Sequence, residues 1–204
     1  MAIRLIPEET PSRLFCCSKW WGNPDMPPKM GYPMIDGYPL TFLCQIDCED
    51  IASFDKDGLL PHTGMLYFFA AIDEYLGYEV PHEHSGFGKW PKNAVAVKYV
   101  PEINMETFDS FIMVDDEDNE LSEPALRLRF EECADNADGL KLLGLPFFED
   151  VRQQNGDCIS LLQLDGDEAL GLCFSDSGTL NILIRKQGLK AAEWKQAFGF
   201  LHSL

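Results

Sequence analysis

The sequence predicts an α+β, β-rich fold: a single globular unit over residues 1–204, built from two duplicated antiparallel sheet halves, with a C-terminal helix. Three observations support this prediction. Short apolar runs alternate with clusters of Gly, Pro and Asp, which is typical of strands joined by turns. Two of those runs, at 40–47 and 158–165, share the pattern Leu-x-Gln-x-Asp. The last stretch, 187–204, spaces its apolar residues at helical intervals.

Length and composition indicate a globular protein that needs no crosslinks for stability. A chain of 204 residues buries roughly 70% of the surface that its unfolded form exposes. No stretch approaches the ~20 apolar residues of a membrane helix, and the first residues lack the apolar core of a signal peptide. We therefore expect a cytoplasmic protein that does not enter a membrane. The seven cysteines are an odd number that includes an adjacent pair, which favours reduced thiols over a disulfide framework.

The chain is strongly acidic. It has 34 Asp and Glu residues against 16 Lys and Arg residues, which gives a net charge of −18. Such a surface repels polyanions, so nucleic acid is excluded as an expected partner. The same surface suits a basic protein partner, although acidity also serves solubility alone. The densest acidic run, DDEDNE at 115–120, is expected to be a solvated loop.

The elements follow from turn signals and apolar patterns. Residues 12–39 should be irregular, because 22–39 alone holds five prolines, which disrupt helices and central strands. Apolar, β-branched and aromatic runs predict strands; they lie at 40–47, 65–72, 94–100, 110–115, 125–130 and 158–165. At 65–72 periodicity alone also fits a buried helix, but length and aromatic content favour a strand. A hairpin is predicted over 169–184, with an Asp-Ser-Gly turn at 176–178.

The two runs that contain Gln belong to a longer internal repeat. When Gln45 is placed on Gln163, the surrounding apolar residues and the following Asp coincide. A Gly-x-Pro motif precedes both runs and a small-Gly-x-Leu motif follows both. These motifs lie at 22–24, 144–146, 63–66 and 177–180. Three elements kept in the same order predict two copies of one structural unit, spanning approximately 12–100 and 125–204.

Duplicated ribbons of this size must pack together to bury their apolar faces. With an approximate two-fold axis between the copies, we expect Gln45 and Gln163 to lie close together near that axis. Because an unpaired buried amide costs about 1–3 kcal/mol, each amide should bond to backbone or to its counterpart. The candidate binding residues of the cleft between the copies are Gln45, Asp47, Gln163 and Asp165. For the two aspartates, the sequence favours the alternative of a strand-ending turn.

These residues also carry a resemblance. The stretch GLPFFEDVRQQNGDCISLLQLDGDEALGLCFSDSGTLNILIRKQGL, at 144–189, resembles the C-terminal signature of the bacterial YwqG-like family, a domain of unknown function. Residues 21–70 resemble its N-terminal half, and the middle of the chain resembles it least. Val151 and Phe174 depart from the family pattern. The resemblance implies a mixed, β-rich, duplicated fold and no established activity, and therefore no catalytic residues.

Motifs for metal, phosphate and nucleophilic chemistry are incomplete. His82 and His84 lack the further ligands that a zinc site needs. The run from Asp116 to Glu120 lacks the Gly and the final Glu of a calcium loop. The stretch 86–89 lacks the spacing of a phosphate-binding loop, and no G-x-S-x-G motif is present. We assign no metal, no cofactor and no catalytic residue; a Cys–His pair assembled by the fold stays open.

These features favour a non-catalytic, protein-binding protein over an enzyme. Its acidity predicts a basic protein partner, and one specific version is an immunity or antitoxin-like protein whose acidic face covers a basic toxin. The alternative is a small-molecule-binding protein or enzyme with its site in the cleft between the two halves. The segments 22–39 and 73–93 could roof such a cleft. The sequence leaves the oligomeric state and the identity of any partner or substrate open.

Overall fold

The computed structural model describes residues 1–77, 84–174 and 178–203, and within these ranges the protein is β-rich, as predicted. Its strands are β1 (Ala2–Glu8), β2 (Lys19–Trp20), β3 (Asp25–Met26), β4 (Met34–Ile35), β5 (Tyr38–Pro39), β6 (Thr41–Asp47), β7 (Met65–Ala70), β8 (Gly88–Lys89), β9 (Val95–Val100), β10 (Asp109–Ser110), β11 (Leu126–Cys133), β12 (Lys141–Leu142), β13 (Cys158–Asp165), β14 (Thr179–Arg185) and β15 (Phe198–His202). The α-helices are α1 (Cys48–Ile51), α2 (Glu149–Gln154) and α3 (Lys186–Lys190), and short 3₁₀ helices span Asp73–Leu76, Glu168–Leu170 and Trp194–Gln196. In these ranges, every helix is too short or too polar to cross a membrane.

One curled antiparallel sheet contains eleven of the strands in the described ranges. Its order is β8-β15-β14-β13-β12-β1-β11-β2-β6-β7-β9. Two small sheets pair β3 with β10 and β4 with β5. β9, at one end of the large sheet, contacts β15 near the other end. The curl therefore brings the two ends of the sheet together beside the core.

Strands β1 and β11 form the centre of the large sheet. Their register runs from Ala2 opposite Cys133 to Glu8 opposite Arg127. β12 pairs with the other edge of β1, and β2 pairs with the other edge of β11. β1 is not among the strands predicted from the sequence; its stretch AIRLIPE contains a proline and no aromatic residue. Its place between two other strands nevertheless buries Ile3 and Leu5 almost completely.

Among the described strands of more than two residues, β7 is the most buried, because all six of its residues are buried. Successive side chains of a strand point to opposite faces, so the fully buried Phe68 and Phe69 show that both faces are covered. The strands predicted at 40–47, 65–72, 94–100, 125–130 and 158–165 are confirmed as β6, β7, β9, β11 and β13. Apolar, β-branched and aromatic runs therefore identified these five strands correctly.

A β-bulge interrupts β6 at Leu43 and β13 at Leu161. An extra residue on one strand locally breaks the alternation of faces. Five consecutive buried residues run through each bulge, so both faces of these strands are covered, as they are in β7. The carbonyl of Leu43 accepts a hydrogen bond from the backbone N of Trp21 at 2.8 Å, and that of Leu161 accepts one from Leu143 at 3.2 Å. Both donors have left-handed φ values, 57° for Trp21 and 60° for Leu143.

The predicted C-terminal helix is wrong. As far as the structure describes 187–203, this stretch contains most of α3 and one 3₁₀ turn, and then β15 pairs with β14. Ala192 has a left-handed φ of 53° just after α3, and Gly199 further weakens a continuous helix. A strand at this position pairs with the backbone N–H and C=O groups along the edge of β14, which would stay unpaired if the last residues formed a helix. The sheet edge therefore overrides the helical spacing of the apolar residues.

The strand predicted at 110–115 is also corrected. β10 ends at Ser110, and the apolar residues that follow form one side of a surface hairpin rather than a sheet strand. Within the described ranges, none of the strands of the large sheet pairs with these residues, and most of their side chains are exposed.

The hairpin predicted over 169–184 is wrong in its first arm. β14 pairs with β13 and β15, whereas 169–174 holds the end of a 3₁₀ helix and part of an isolated bridge. The predicted turn residues Asp176 and Ser177 lie outside the described residues. β13 is therefore the strand that pairs with β14, where the predicted first arm of the hairpin was expected.

Candidate functional site

The two glutamines singled out by the repeat are buried, but they lie far apart in the sheet. Gln45 is in β6 and Gln163 is in β13, and four strands, β2, β11, β1 and β12, separate β6 from β13. The prediction that the two side chains lie close together near a common axis is therefore wrong. The central position belongs to β1 and β11, which place the two glutamine strands on opposite sides of the centre.

Gln45 belongs to a buried polar cluster that we call the Asp25 network, consisting of Cys16, Lys19, Asp25, Gln45 and Ser110. The carboxylate of Asp25 is 0% exposed. It accepts hydrogen bonds from Lys19 Nζ (2.7 Å), the backbone N of Cys16 (2.8 Å), Gln45 Nε2 (2.9 Å) and Ser110 Oγ (2.6 Å). Gln45 Oε1 in turn accepts from the backbone N of Asp25 at 2.8 Å. These donors compensate the cost of burying the carboxylate and the ammonium group of Lys19.

Backbone groups hold the amide of Gln163. Its Oε1 accepts a hydrogen bond from the backbone N of Phe147 at 2.9 Å. Its Nε2 donates to the carbonyls of Ala137 at 3.2 Å and Gly139 at 3.0 Å. The prediction that a buried Gln amide bonds to backbone groups is therefore confirmed for Gln163. It is also confirmed for Gln45, whose Oε1 accepts from the backbone N of Asp25.

Each glutamine stands opposite a buried lysine on the neighbouring strand. Lys19 is in register with Gln45, and Lys141 is in register with Gln163. Lys141 is 0% exposed, and its Nζ donates to the backbone carbonyls of Asp135 at 2.8 Å and Leu145 at 2.5 Å. Burial lowers the pKa of Lys141 to about 8, because carbonyl oxygens carry no full charge to offset desolvation.

The two predicted aspartates stabilise the ends of their strands. Asp47 Oδ1 accepts a hydrogen bond from the backbone N of Glu49 at 3.0 Å and caps α1. Asp165 accepts from Thr179 Oγ1 at 2.7 Å and from the backbone N of Gly139 at 2.5 Å. Burial is the main cause that raises the pKa of Asp47. Asp47 therefore makes the local contact expected of a strand-ending turn, whereas the partners of Asp165 lie 14 and 26 residues away in the chain. Neither aspartate lines the cavity described below.

An apolar cavity of about 330 Å³ opens beside the start of β6. The loop 21–24, the segment 39–42, the 3₁₀ helix at 73–76 and the stretch 111–123 line it, together with Tyr32. The Pro-rich segment and the beginning of the loop after β7 therefore do border a cavity. All lining residues precede residue 124, so this cavity belongs to the first part of the chain.

Aromatic stacking shapes one side of the cavity. The ring of Tyr32 stacks on that of Phe111, with centroids 4.7 Å apart and an interplanar angle of 27°. Tyr32 OH donates to the carbonyl of Leu40 at 2.9 Å. Burial, with a smaller effect of Asp73, raises the pKa of Tyr32, so the hydroxyl stays neutral. The Asp73 carboxylate, which accepts a hydrogen bond from Thr41, is one of the polar groups that line the cavity.

A surface hairpin at 111–121, which we call the acidic hairpin, contributes Phe111, Met113 and Leu121 to the lining of the cavity. Val114 and Glu120 form a bridge, and the backbone N of Leu121 donates to the carbonyl of Met113 at 2.9 Å. Its exposed apolar residues are Phe111 (42%), Ile112 (51%), Val114 (47%) and Leu121 (51%). Adjacent exposed apolar side chains of this size are typical of interaction surfaces.

The tip of the acidic hairpin holds five carboxylates within the six residues 115–120. The carboxylate of Asp115 organises the turn by accepting from the backbone N of Glu117 (2.8 Å) and from the backbone N and Nδ2 of Asn119 (both 2.9 Å). The bond from the Asn119 side chain is the largest cause that lowers the pKa of Asp115. The tip therefore stays negative and has a defined shape.

The Asp25 network fixes the base of the acidic hairpin. β10 pairs with β3, Ser110 Oγ bonds to the Asp25 carboxylate, and the backbone N of Phe111 donates to the carbonyl of Pro24 at 2.8 Å. Gln45 holds Asp25 from the other side. Gln45 is therefore a positioning residue for the cavity wall, although it does not line the cavity itself.

In the part of the chain that the structure describes, no group of three His, Cys, Asp or Glu side chains is arranged to hold a metal ion. His84 Nε2 lies 2.9 Å from Asp36 Oδ2. The other member of the His82–His84 pair lies outside the described residues.

Comparison with known proteins concerns most of this fold. The profile of a family described as a domain of unknown function, DUF1963, matches residues 18–201. The chain belongs to the DUF1963 family. The DUF1963 region runs from just before β2 to β15, and it includes the cavity and the acidic hairpin. No curated protein matches the chain.

Proposed function

We propose that this DUF1963 protein is a non-catalytic, cytoplasmic module that binds a basic protein partner through the cavity and the acidic hairpin. The observation that carries the proposal is the combination of an apolar cavity with a wall of exposed apolar side chains and a tip of five carboxylates. A partner segment that matches it would place an apolar side chain in the cavity and Lys or Arg residues beside the tip.

The physical basis is a division of roles between apolar and charged groups. Burial of Ile112, Val114 and Leu121 against a partner would remove apolar surface from water, at about 25 cal/mol per Å². The carboxylates of the tip would speed encounter with a basic surface and select against acidic partners. An immunity or antitoxin-like role, in which the acidic surface covers a basic toxin, is a specific version of this proposal.

Affinity capture from native cytosol tests the proposal when wild type is compared with a neutralised tip. In Asp116→Asn/Asp118→Asn two exposed carboxylates become amides of equal size. The matched control is Asp57→Asn/Asp138→Asn, in which the side chains are each 69% exposed and lie outside the hairpin. We expect the wild type and the control to capture the same basic protein, and the tip variant to lose most of it, about fivefold or more.

A second variant separates the apolar contribution from the charge. Ile112→Ser removes an apolar side chain that is 51% exposed, so it should weaken capture without loss of stability. Capture should also decrease as salt is raised, because exposed charges are screened. Capture of no basic protein, or equal capture by the tip variant and the control, would show that the proposal is wrong.

A second candidate function is the binding of an apolar small molecule in the same cavity. The observation in its favour is the volume of about 330 Å³ with mostly apolar walls, which lies in the range of ligand pockets. A small molecule would stabilise wild type and the tip variant equally in thermal unfolding, because the tip carboxylates do not line the cavity. Partner binding, in contrast, depends on the tip.

We also propose that the chain is a YwqG-like member of its family and that it arose by duplication of one unit. Supporting features are the bulges at Leu43 and Leu161, the two Lys–Gln pairs, and the equal distance of β6 and β13 from the β1–β11 pair, from which a single strand separates each of them. On this proposal, the two halves exchange their central strands. β11, from the second half of the chain, lies beside β2 of the first half, and β1, from the start of the chain, lies beside β12 of the second half. Superposition of the two sheet halves in a crystal structure tests it; failure of Gln45 and Gln163 to coincide would contradict it.

A further inference from the structure

A second surface has the opposite charge to the rest of the molecule. We call it the basic groove: a depression of about 940 Å³ lined by residues from 30–34, 92–99 and 192–197. β9 forms its floor, and the 3₁₀ helix Trp194–Gln196 packs beside β9. The groove shares no lining residue with the cavity at the acidic hairpin, although both border the Pro-rich segment.

Three lysines line the basic groove, against a single carboxylate. They are Lys92, Lys98 and Lys195, and the carboxylate is that of Glu193, whereas the whole chain has about two acidic residues for each basic one. Among the residues that the structure describes, these lysines form no ion pair with a carboxylate within 4.0 Å. The Nζ of Lys98 donates to the carbonyl of Gly31.

The cations of the groove lie close enough to repel one another. Burial, followed by the nearby charge of Lys195, lowers the pKa of Lys98. An anion between the two ammonium groups would relieve this repulsion and accept charge-assisted hydrogen bonds from both.

Two aromatic side chains, Tyr99 and Trp194, line the same groove as these lysines. The rings of Tyr99 and Trp194 are 6.3 Å apart between centroids, at an interplanar angle of 55°. Both side chains are half-buried and line the groove. A half-buried aromatic face next to a cation offers stacking to a planar ring as well as apolar contact.

We propose that the basic groove binds a small anion that carries a planar ring, of the nucleoside phosphate class. The lysines would hold the phosphate groups, and Trp194 with Tyr99 would contact the ring. The net charge of −18 disfavours a long polyanion, so the ligand is a small molecule rather than a nucleic acid. The ligand is opposite in charge to the partner of the acidic hairpin, and the two sites are independent.

Isothermal titration calorimetry with ATP, tripolyphosphate and adenosine as probes tests the proposal on the full chain. ATP should bind with a Kd below about 1 mM. Tripolyphosphate lacks the ring and adenosine lacks the charge, so each should bind at least about tenfold more weakly. Binding of ATP and tripolyphosphate with equal affinity would show a nonspecific cluster of charge and would overturn the proposal, as would absence of ATP binding.

Substitutions locate the site. Lys195→Gln changes an exposed side chain that should leave folding intact, and Lys98→Gln changes its neighbour; each should weaken ATP binding by about tenfold. The matched control is Lys56→Gln, whose ammonium is 59% exposed and pairs with Glu132 away from the groove, and it should bind as wild type does. If Lys195→Gln, folded as judged by its Tm, binds ATP as tightly as the control, the groove is not the site.

Discussion

Loss of the Asp25 carboxylate should destabilise the protein more than any single surface substitution. Asp25→Ala removes the acceptor of four hydrogen bonds at 2.6 to 2.9 Å and leaves the Lys19 ammonium, whose side chain is 3% exposed, without its counter-ion. Breaking a buried ion pair by removal of one partner costs about 3–5 kcal/mol. Since domains are stable by only about 5–15 kcal/mol, this loss would take a large part of the total.

Urea unfolding followed by circular dichroism measures the free energy of unfolding of the wild type and of Asp25→Ala. Asp138→Ala serves as the control, because its carboxylate is 69% exposed and pairs with Arg4 at the surface, where a pair contributes about 0–1 kcal/mol. In the double variant Asp25→Ala/Lys19→Met the uncompensated charge is absent, so part of the stability should return. A loss below about 1 kcal/mol for Asp25→Ala would refute the reasoning that this pair is tightly coupled.

Two further predictions concern a glycine and a buried lysine. Gly64→Ala should cost about 2–5 kcal/mol of unfolding free energy in urea, because a Cβ would lie 2.1 Å from the carbonyl O of Val100 at a φ of 80°. The control Gly58→Ala, at a φ of 59° with open space around it, should cost only about 1–2 kcal/mol. Equal losses for the two variants would contradict the steric explanation. Burial lowers the pKa of Lys141 to about 8 from 10.5, so the unfolded chain binds more protons between these pH values and stability gains with rising pH. Relative to Lys141→Met, the wild type should therefore gain about 2 kcal/mol from pH 8 to pH 10.5, and a constant difference between the two proteins would argue against the lowered pKa.

The sequence predicted those strands whose composition alone shows that they are buried. β7 is apolar on both faces, and such a run has no other stable place than the interior. β1 and β15 were missed for the opposite reason, because pairing with other strands rather than their own composition makes them strands. The residues of β15 have helical spacing, and only the open edge of β14 decides between the two structures.

The candidate site was predictable in part. The repeat correctly drew attention to Gln45, since a Gln within an apolar run must be buried with its amide bonded, and it is. The repeat could not show that Asp25 is the acceptor at the centre, because Lys19, Gln45 and Ser110 come together only in the fold. The apolar run before DDEDNE, together with Leu121 after it, was the available signal for the acidic hairpin.

The position of β1 affects the order in which the chain can fold. Its two neighbours in the sheet begin at Leu126 and Lys141, so during synthesis both edges of Ala2–Glu8 wait unpaired while most of the chain is made. Contacts of such long sequence separation slow folding, and unpaired edges invite association between chains. A ribosome-bound intermediate of this protein would therefore expose an unpaired strand that is prone to association with other chains. The nascent chain should depend on chaperones until residues past Lys141 have emerged.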